Sequence, residues 1–96
     1  MLTSKQRAYL RSLANNIPAI FQIGKSGIND NLIDQINDVL EARELIKVHV
    51  LNNALIDVKE ACEELSRLTD SHPVQVIGSK FVLYKESKEK KTIELP

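Results

Sequence analysis

The order in which helical and strand patterns alternate is the feature that most constrains the fold of this chain. Apolar residues at helical spacing alternate with short apolar runs that are bounded by turn residues. The helices are predicted at about residues 4–14, 30–43 and 54–68, and the strands at about 19–23, 45–51, 74–77 and 80–85. The resulting order, αβαβαββ, contains two strand–helix–strand units, which imply parallel strand pairs with right-handed crossovers. A closing hairpin adds an antiparallel strand, so we predict an α/β fold, α+β-like in its two layers, with a mixed four-stranded sheet.

Signals at the helix ends support this order. Thr3 followed by Gln6 fits a capping box, and Asn29 or Asp30 can cap the second helix. The third helix is predicted to bury Leu55 among its apolar residues. Both sides of the last strand are apolar, so both faces of the sheet should be covered at least in part. The second and third helices are expected on one face, and the first helix on the other face or at an edge.

The length of the chain allows one domain. Its 96 residues are too few for two domains, and 43% of them are hydrophobic, which supports a real core. We expect the domain to cover residues 1–86 and a charged tail to follow at 87–96. The first residues have no apolar run of signal-peptide length, and no stretch approaches the roughly 20 apolar residues of a membrane span. A cytoplasmic monomer without a membrane partner is therefore expected.

Several kinds of site are excluded by residue type. Cys62 is the single cysteine, so neither an internal disulfide nor a cysteine-rich zinc site is possible, and His49 and His72 cannot build a zinc site alone. The sequence has no paired carboxylates in a plausible cleft, no nucleophile–base constellation and no metal-ligand spacing. We therefore predict a protein that is not an enzyme and that takes neither a metal nor a cofactor.

The net charge of zero hides an uneven distribution of charge. Residues 1–28 carry four bases and no acid, residues 29–70 carry four bases and ten acids, and residues 71–96 carry five bases and three acids. If the fold brings the two ends together, it has a basic face and an acidic face, and nucleic acid responds to the local field. The acidic residues Asp34, Asp38 and Glu41 take the outer side of the second helix. That side is most simply solvated, or it could meet a basic ribosomal protein.

The candidate site begins with the loop between the first strand and the second helix, which consists of Gly24, Lys25, Ser26 and Gly27. Glycines allow positive φ angles, and the first amides of the following helix lack partners and carry the positive end of its dipole. That combination suits a phosphate, to which the lysine adds charge and the serine a hydroxyl donor. Taken alone, four such residues are more often an ordinary turn. The Walker and dinucleotide-binding spacings are absent.

Six further basic residues complete the predicted RNA-contacting set, namely Lys5, Arg7, Arg11, Lys47, Lys80 and Lys85. The three on the first helix form either a phosphate-contacting stripe or a solvated helix face. The lysine in the second strand needs an open sheet face to reach a ligand. The two at the last strand could contact RNA or could protect an edge strand against aggregation.

Together these segments resemble a known family. The run FQIGKSGINDNLIDQINDVLEARELIKVHVL, followed by VQVIGSKFVLYK, is similar to the YhbY family, the bacterial stand-alone form of the CRM domain. The resemblance extends over nearly the whole chain, to the closing IELP. It implies a fold similar to the C-terminal domain of translation initiation factor three. It also implies RNA binding and association with precursors of the large ribosomal subunit.

The resemblance assigns particular positions. Gly24, Lys25 and Gly27 match the family loop, Lys47 matches its strand lysine, and Gln75 and Gly78 match its hairpin. Family members often have arginine directly after the hairpin glycine and after the tyrosine. This chain has Ser79 and Lys85 there, and lysine keeps the charge without the bidentate fork of arginine.

The predicted function is therefore binding of RNA, in particular ribosomal RNA precursor, through contacts to the phosphate backbone. Such binding should weaken steeply with salt. The alternative is a protein-interaction module whose acidic helices dock on large-subunit ribosomal proteins, with incidental RNA contact.

Overall fold

The computed structural model describes all residues, 1–96, and contains three helices and four strands. The elements are α1 (Ser4–Ala14), β1 (Phe21–Ile23), α2 (Asp30–Arg43), β2 (Leu45–Val50), α3 (Val58–Thr69), β3 (His72–Ile77) and β4 (Lys80–Tyr84). The predicted order αβαβαββ and the mixed four-stranded sheet are confirmed.

The strands lie in the order β1-β2-β4-β3. β1 pairs with β2 in parallel, whereas β4 pairs with both β2 and β3 antiparallel. The prediction of two directly paired parallel strands is therefore right for β1 and β2 and wrong for β2 and β3, because β4 lies between them. The reason is that β4 is apolar on both sides. Phe81 and Leu83 join one core, Val82 and Tyr84 join the other, and such a strand is best buried in the middle of a sheet.

The first two helices begin where their caps were predicted. The Gln6 amide donates to Thr3 Oγ1 at 3.1 Å, and the Thr3 amide donates to Gln6 Oε1 at 3.0 Å, which is a capping box. Asn29 caps α2, since its Oδ1 accepts from the Leu32 amide at 2.9 Å. These local bonds set the entry of each helix independently of the rest of the fold.

The start of α3 differs from the prediction. Asp57 is the N-cap, with Oδ2 accepting from the Lys59 amide at 3.1 Å, so the helix begins at Val58 rather than near residue 54. Leu55 was expected in the core but lies in the preceding loop, where 93% of it is exposed. A capping aspartate directly after Leu55 and Ile56 therefore outweighed the apolar pattern.

The first face of the sheet is covered by α2 and α3. Twelve buried residues from both helices and three of the strands form its core, including Ile36, Leu65 and Phe81. The outer sides of the two helices expose Asp34 and Asp38 on α2 and several glutamates on α3. This first face is therefore closed, apolar beneath and acidic outside.

The second face is covered by α1 and by the C-terminal tail. Its seven buried residues are Leu2, Leu10, Ala14, Leu45, Val74, Val82 and Tyr84. Ile93 and Leu95 of the tail pack against this cluster. The residues of the sheet in this cluster lie toward the end at which β2 begins, so the covering leaves the opposite end of the second face without a helix.

The tail is held by two glutamates at the end of α2. Glu44 is fully buried, adopts a left-handed conformation with φ 67°, and accepts from the amides of Ser87, Thr92 and Ile93 at 2.7 to 2.8 Å. Glu41 accepts from the Ser87 hydroxyl at 2.7 Å and from two further tail amides. Glu41 was predicted on a solvated helix side, and that prediction is wrong because the tail returns to it from more than 40 residues away.

Candidate nucleic-acid interface

Residues 24–27 form a hydrogen-bonded turn at the carboxyl end of β1. The Gly27 amide donates to the Gly24 carbonyl oxygen at 3.0 Å, and Gly27 has a φ of 67°. A Cβ at Gly27 would meet nothing within 4 Å, so its conformation, rather than lack of space, favours glycine. At Gly24 the surroundings are closer, because a Cβ there would lie 3.4 Å from Leu51 Cδ1.

The turn presents donors and a positive charge to solvent. Lys25 and Ser26 are exposed, and the amides of both residues and of Ile28 donate no hydrogen bond within the protein. The carboxylates that are ion-paired in this chain bond to Arg67 and Lys91, so the Lys25 ammonium is unpaired. A shallow depression of about 360 Å³ lies beside the turn and the start of α2. The loop can therefore offer an anion both free amides and an uncompensated charge.

Three turns meet at this end of the sheet. The Leu51 amide donates to the Ile23 carbonyl oxygen at 2.8 Å, which ties the end of β2 to the end of β1. The Val50 amide donates to the Ser79 carbonyl oxygen at 2.7 Å, which brings the β3–β4 hairpin turn to the same place. Lys80, directly after that turn, is exposed and lies at the same end of the sheet as the 24–27 loop.

Lys47 lies on the second face. It is half-buried and pairs in register with Val82, which belongs to the core beneath α1. Residues that alternate along a strand point to the same side, so Lys47 shares its face with Lys80, whose strand partner is His49. Lys47 therefore lies in the first covered row of the second face, next to the row of the exposed Lys80.

The three bases of α1 do not form a single stripe. Arg7 and Arg11 are four residues apart and lie on one side of the helix, whereas Lys5 projects from roughly the opposite side. The Arg7 guanidinium donates to the Pro73 carbonyl oxygen at 3.4 Å, at the start of β3. Across the buried stripe from Arg7 and Arg11, Gln6 donates to the carbonyl oxygen of Pro96 in the tail. The contact of Arg7 therefore lies at the end of the sheet remote from the 24–27 loop, because the start of β3 pairs with the end of β4.

Lys85 stands apart from the rest of the predicted set. It follows β4 at the end of the sheet remote from the 24–27 loop, and its Nζ donates to the Thr69 carbonyl oxygen at 3.0 Å. Thr69 is the last residue of α3, so this lysine satisfies a terminal helix carbonyl. The structure thus brings together the loop, Lys47 and Lys80, and leaves Lys85 and the contact of Arg7 at the other end of the sheet.

Residues that the sequence reasoning did not single out also lie here. Gln22 pairs with His49, His49 with Lys80, and Lys80 with Ile77, which makes one row of side chains across all four strands. We call these four residues the open row. No local signal in the sequence indicates the row, because it depends on the register between strands that are far apart in the chain.

Other kinds of site find no support. No group of three or more histidine, cysteine, aspartate or glutamate side chains is placed to hold a metal ion. Burial, with a smaller contribution from Glu63, raises the pKa of the Cys62 thiol to about 11, so it stays a thiol at neutral pH. None of the helices is both long enough and apolar enough to cross a membrane.

The fold and the loop together define a small α+β module with a glycine-bracketed turn between a strand and a helix. The sequence matches the CRS1 / YhbY (CRM) domain over residues 2–85. The chain belongs to this family, and the resemblance drawn from its motifs is confirmed.

Individual relatives agree with the family. The chain is 56% identical over 96 residues to a Bacillus subtilis protein named probable RNA-binding protein YqeI, with all of both chains covered. It is 33% identical over 95 residues to a Haemophilus influenzae protein named RNA-binding protein, which covers 99% of this chain and 95% of that one. A solution structure of a Staphylococcus aureus protein, described as a candidate RNA-binding protein, matches with a TM-score of 0.83 and 67% identity over the full length of both chains.

Proposed function

We propose that this protein binds RNA and that the 24–27 loop holds its phosphate backbone. The observation that carries the proposal is the unpaired Lys25 beside amides that have no partner within the protein. Membership of the CRM family and the names of the relatives support RNA as the ligand. Phosphate contacts fix the position of RNA but carry no sequence information, so the loop positions its ligand rather than reading it.

We further propose that the RNA is a precursor of the large ribosomal subunit and that the protein assists its assembly in the cytoplasm. The resemblance to the YhbY family supports this ligand. The second face suits such a role because it is basic and bears no acid on α1 or in the open row. A basic surface of this kind attracts folded RNA of any sequence. The assembly intermediate presents such RNA at a high local concentration.

Replacing Lys25 with Glu tests the loop. We expect RNA affinity to fall about tenfold at low salt, and the slope of log affinity against log salt to fall by about one, because one phosphate contact is lost. The matched control is Lys59→Glu, which makes the same charge change at an exposed position on α3. Equal losses of RNA affinity in both variants, or no loss in either, would contradict phosphate binding by the loop. The melting temperature of each variant checks that folding is intact.

The acidic outer side of α2 and α3 supports a second candidate function, docking on a basic ribosomal protein. Asp34, Asp38 and Glu63 are exposed there and form no ion pair. Co-sedimentation with large-subunit particles before and after RNase treatment separates the two functions. Loss of the protein from the particles after RNase supports RNA binding, and retention supports protein docking.

A further inference from the structure

We propose that the open row is a site for unpaired nucleotides, so that the preferred ligand is a single-stranded RNA segment that continues from the 24–27 loop across the sheet. This inference rests on the proposed RNA binding and adds to it the kind of RNA that is bound. It assigns contacts to Gln22, His49 and Ile77, none of which belongs to the basic set predicted from the sequence.

The open row is not covered by any other part of the chain. Gln22 and Lys80 are exposed, His49 is half-buried, and Ile77 is 58% exposed. The buried residues of the second face begin one row further along, at Val82. The buried sheet residues beneath α1 and the tail thus all lie on the side of this row that is remote from the 24–27 loop. Ile77, on the edge strand β3, gives this otherwise polar row one exposed apolar side chain.

The side chains of the open row suit the binding of unpaired bases. Unpaired bases bind where a side chain offers a flat or apolar platform and where amides can reach the base edge. In the open row, Ile77 and the His49 ring supply the platform, and Gln22 supplies an amide. Gln75 adds a second amide in the neighbouring row, where it pairs with Val82. Lys80 lies between these groups and can neutralise a phosphate.

The open row is continuous with the 24–27 loop. Gln22 is two residues before Gly24, and it lies beside the same depression as Lys25 and Ser26. An RNA strand whose phosphates are bound by the loop amides can therefore continue directly onto the open row. The row spans three strand spacings, roughly 15 Å in all, and other four-stranded sheets stack two or three bases over such a width.

A duplex fits the open row less well than an unpaired strand does. Base faces are hidden in a helix, and the deep, narrow major groove of A-form RNA does not admit side chains. A duplex would present its phosphates, sugars and shallow minor groove to the sheet, and none of these offers a base face to Ile77 or to the His49 ring. The phosphate contacts at the loop alone would not distinguish the two forms.

The test uses the full chain with an oligonucleotide of about a dozen nucleotides that has no self-complementarity, and with the same strand annealed to its complement. Fluorescence anisotropy is expected to give affinity for the single strand about tenfold higher than for the duplex at the same salt concentration. Ile77→Ser is expected to weaken single-strand binding about fivefold, as removal of a stacking platform does, without changing the salt slope. The matched control is Val76→Ser, because Val76 is the preceding residue of β3, is 38% exposed and pairs with Phe81, which belongs to the core of the first face.

The outcomes separate this inference from the proposed function. If the single strand is preferred and Ile77→Ser, but not Val76→Ser, weakens it, the open row holds unpaired nucleotides. If binding depends on Lys25 but single strand and duplex bind alike and Ile77→Ser has no effect, the inference is overturned while the proposed function stands. If neither RNA binds, both are overturned. Amide shifts at Gln22, His49 and Lys80 in NMR spectra with the single strand give a readout that loss of stability would not imitate.

Discussion

The two faces of the sheet differ in how they are covered and in charge. The first face lies under two helices, has a core of twelve buried residues, and is acidic outside. The second lies under one basic helix and an extended tail, has a core of seven residues, and leaves a row of four side chains uncovered. We infer from this difference that the first face supplies most of the stability and that the second face supplies the ligand surface. A ligand-binding surface must remain accessible. The larger core of the first face stabilises the protein enough for the second face to remain partly uncovered.

The largest expected effect tests the stabilising role of the first face. Leu65→Ala removes a fully buried side chain from that core and should lower the free energy of unfolding by about 3 kcal/mol. RNA affinity, measured well below the melting temperature, should change less than about twofold because the second face is untouched. Urea unfolding and anisotropy provide the two measurements.

The control for this variant is Leu68→Ala on the same helix, at a position that is 37% exposed, which should cost less than about 1 kcal/mol. A large loss of RNA affinity in folded Leu65→Ala protein would show that the two faces are not independent.

The next effect concerns the tail that covers part of the second face. In Glu44→Gln, an amide NH2 group replaces one carboxylate oxygen, so either the Ser87 amide or the amides of Thr92 and Ile93 face a donor instead of an acceptor. We expect the free energy of unfolding to fall by about 2 kcal/mol, because a buried polar group is left unsatisfied. Limited proteolysis should then cleave the tail faster. Glu94→Gln, at an exposed tail position, serves as the control and should behave as the unaltered protein does.

Glu44 also marks the limit of what the sequence could predict. The order of elements followed from periodicity and from caps such as Thr3 and Asn29, all of which act within a few residues. The 24–27 loop was found for the same reason. The bonds of Glu44 to the tail join residues 43 to 49 positions apart, and the open row depends on the place of β4 in the sheet. Such contacts are set by the packing of the whole chain, which no local pattern records.

Acid should loosen the tail before it opens the first face. Hydrogen bonds from the Lys88 amide, the Ser87 hydroxyl and the Glu89 amide lower the pKa of Glu41 from 4.5 to about 2. Burial of Glu44 opposes its ionisation, but the bonds from Ser87, Ile93 and Thr92 outweigh it and lower its pKa as well. These carboxylates bind fewer protons in the folded protein than in the unfolded chain. Their contribution is therefore complete above pH 4.5 and is lost as the pH falls from 4.5 toward 2.

The measurement for this effect is the free energy of unfolding across that pH range, compared with Glu41→Gln. The variant lacks the titrating group, so its stability should fall less steeply with acid than that of the unaltered protein. Parallel curves for the two proteins would contradict a role for Glu41 in holding the tail. Amide signals of the tail should shift at a higher pH than those of β4 in the core of the sheet.

The smallest expected effect distinguishes the two ends of β4. Lys80 has no partner and lies at the loop end, whereas Lys85 donates to a carbonyl of α3 at the other end. Lys80→Met should therefore weaken RNA binding about two- to threefold and lower the salt slope, while leaving stability within about 0.5 kcal/mol. Lys85→Met should have the opposite effects. The free energy of unfolding should fall by about 1 kcal/mol because the hydrogen bond to the end of α3 is lost, and RNA affinity should be nearly unchanged. Both substitutions remove one positive charge, at the first residue of β4 and at the residue after its last, so an effect of net charge alone would weaken RNA binding equally in both variants. A larger loss of affinity in Lys85→Met would place the RNA at the end of the sheet where α3 terminates, and would remove the 24–27 loop from the centre of the ligand surface.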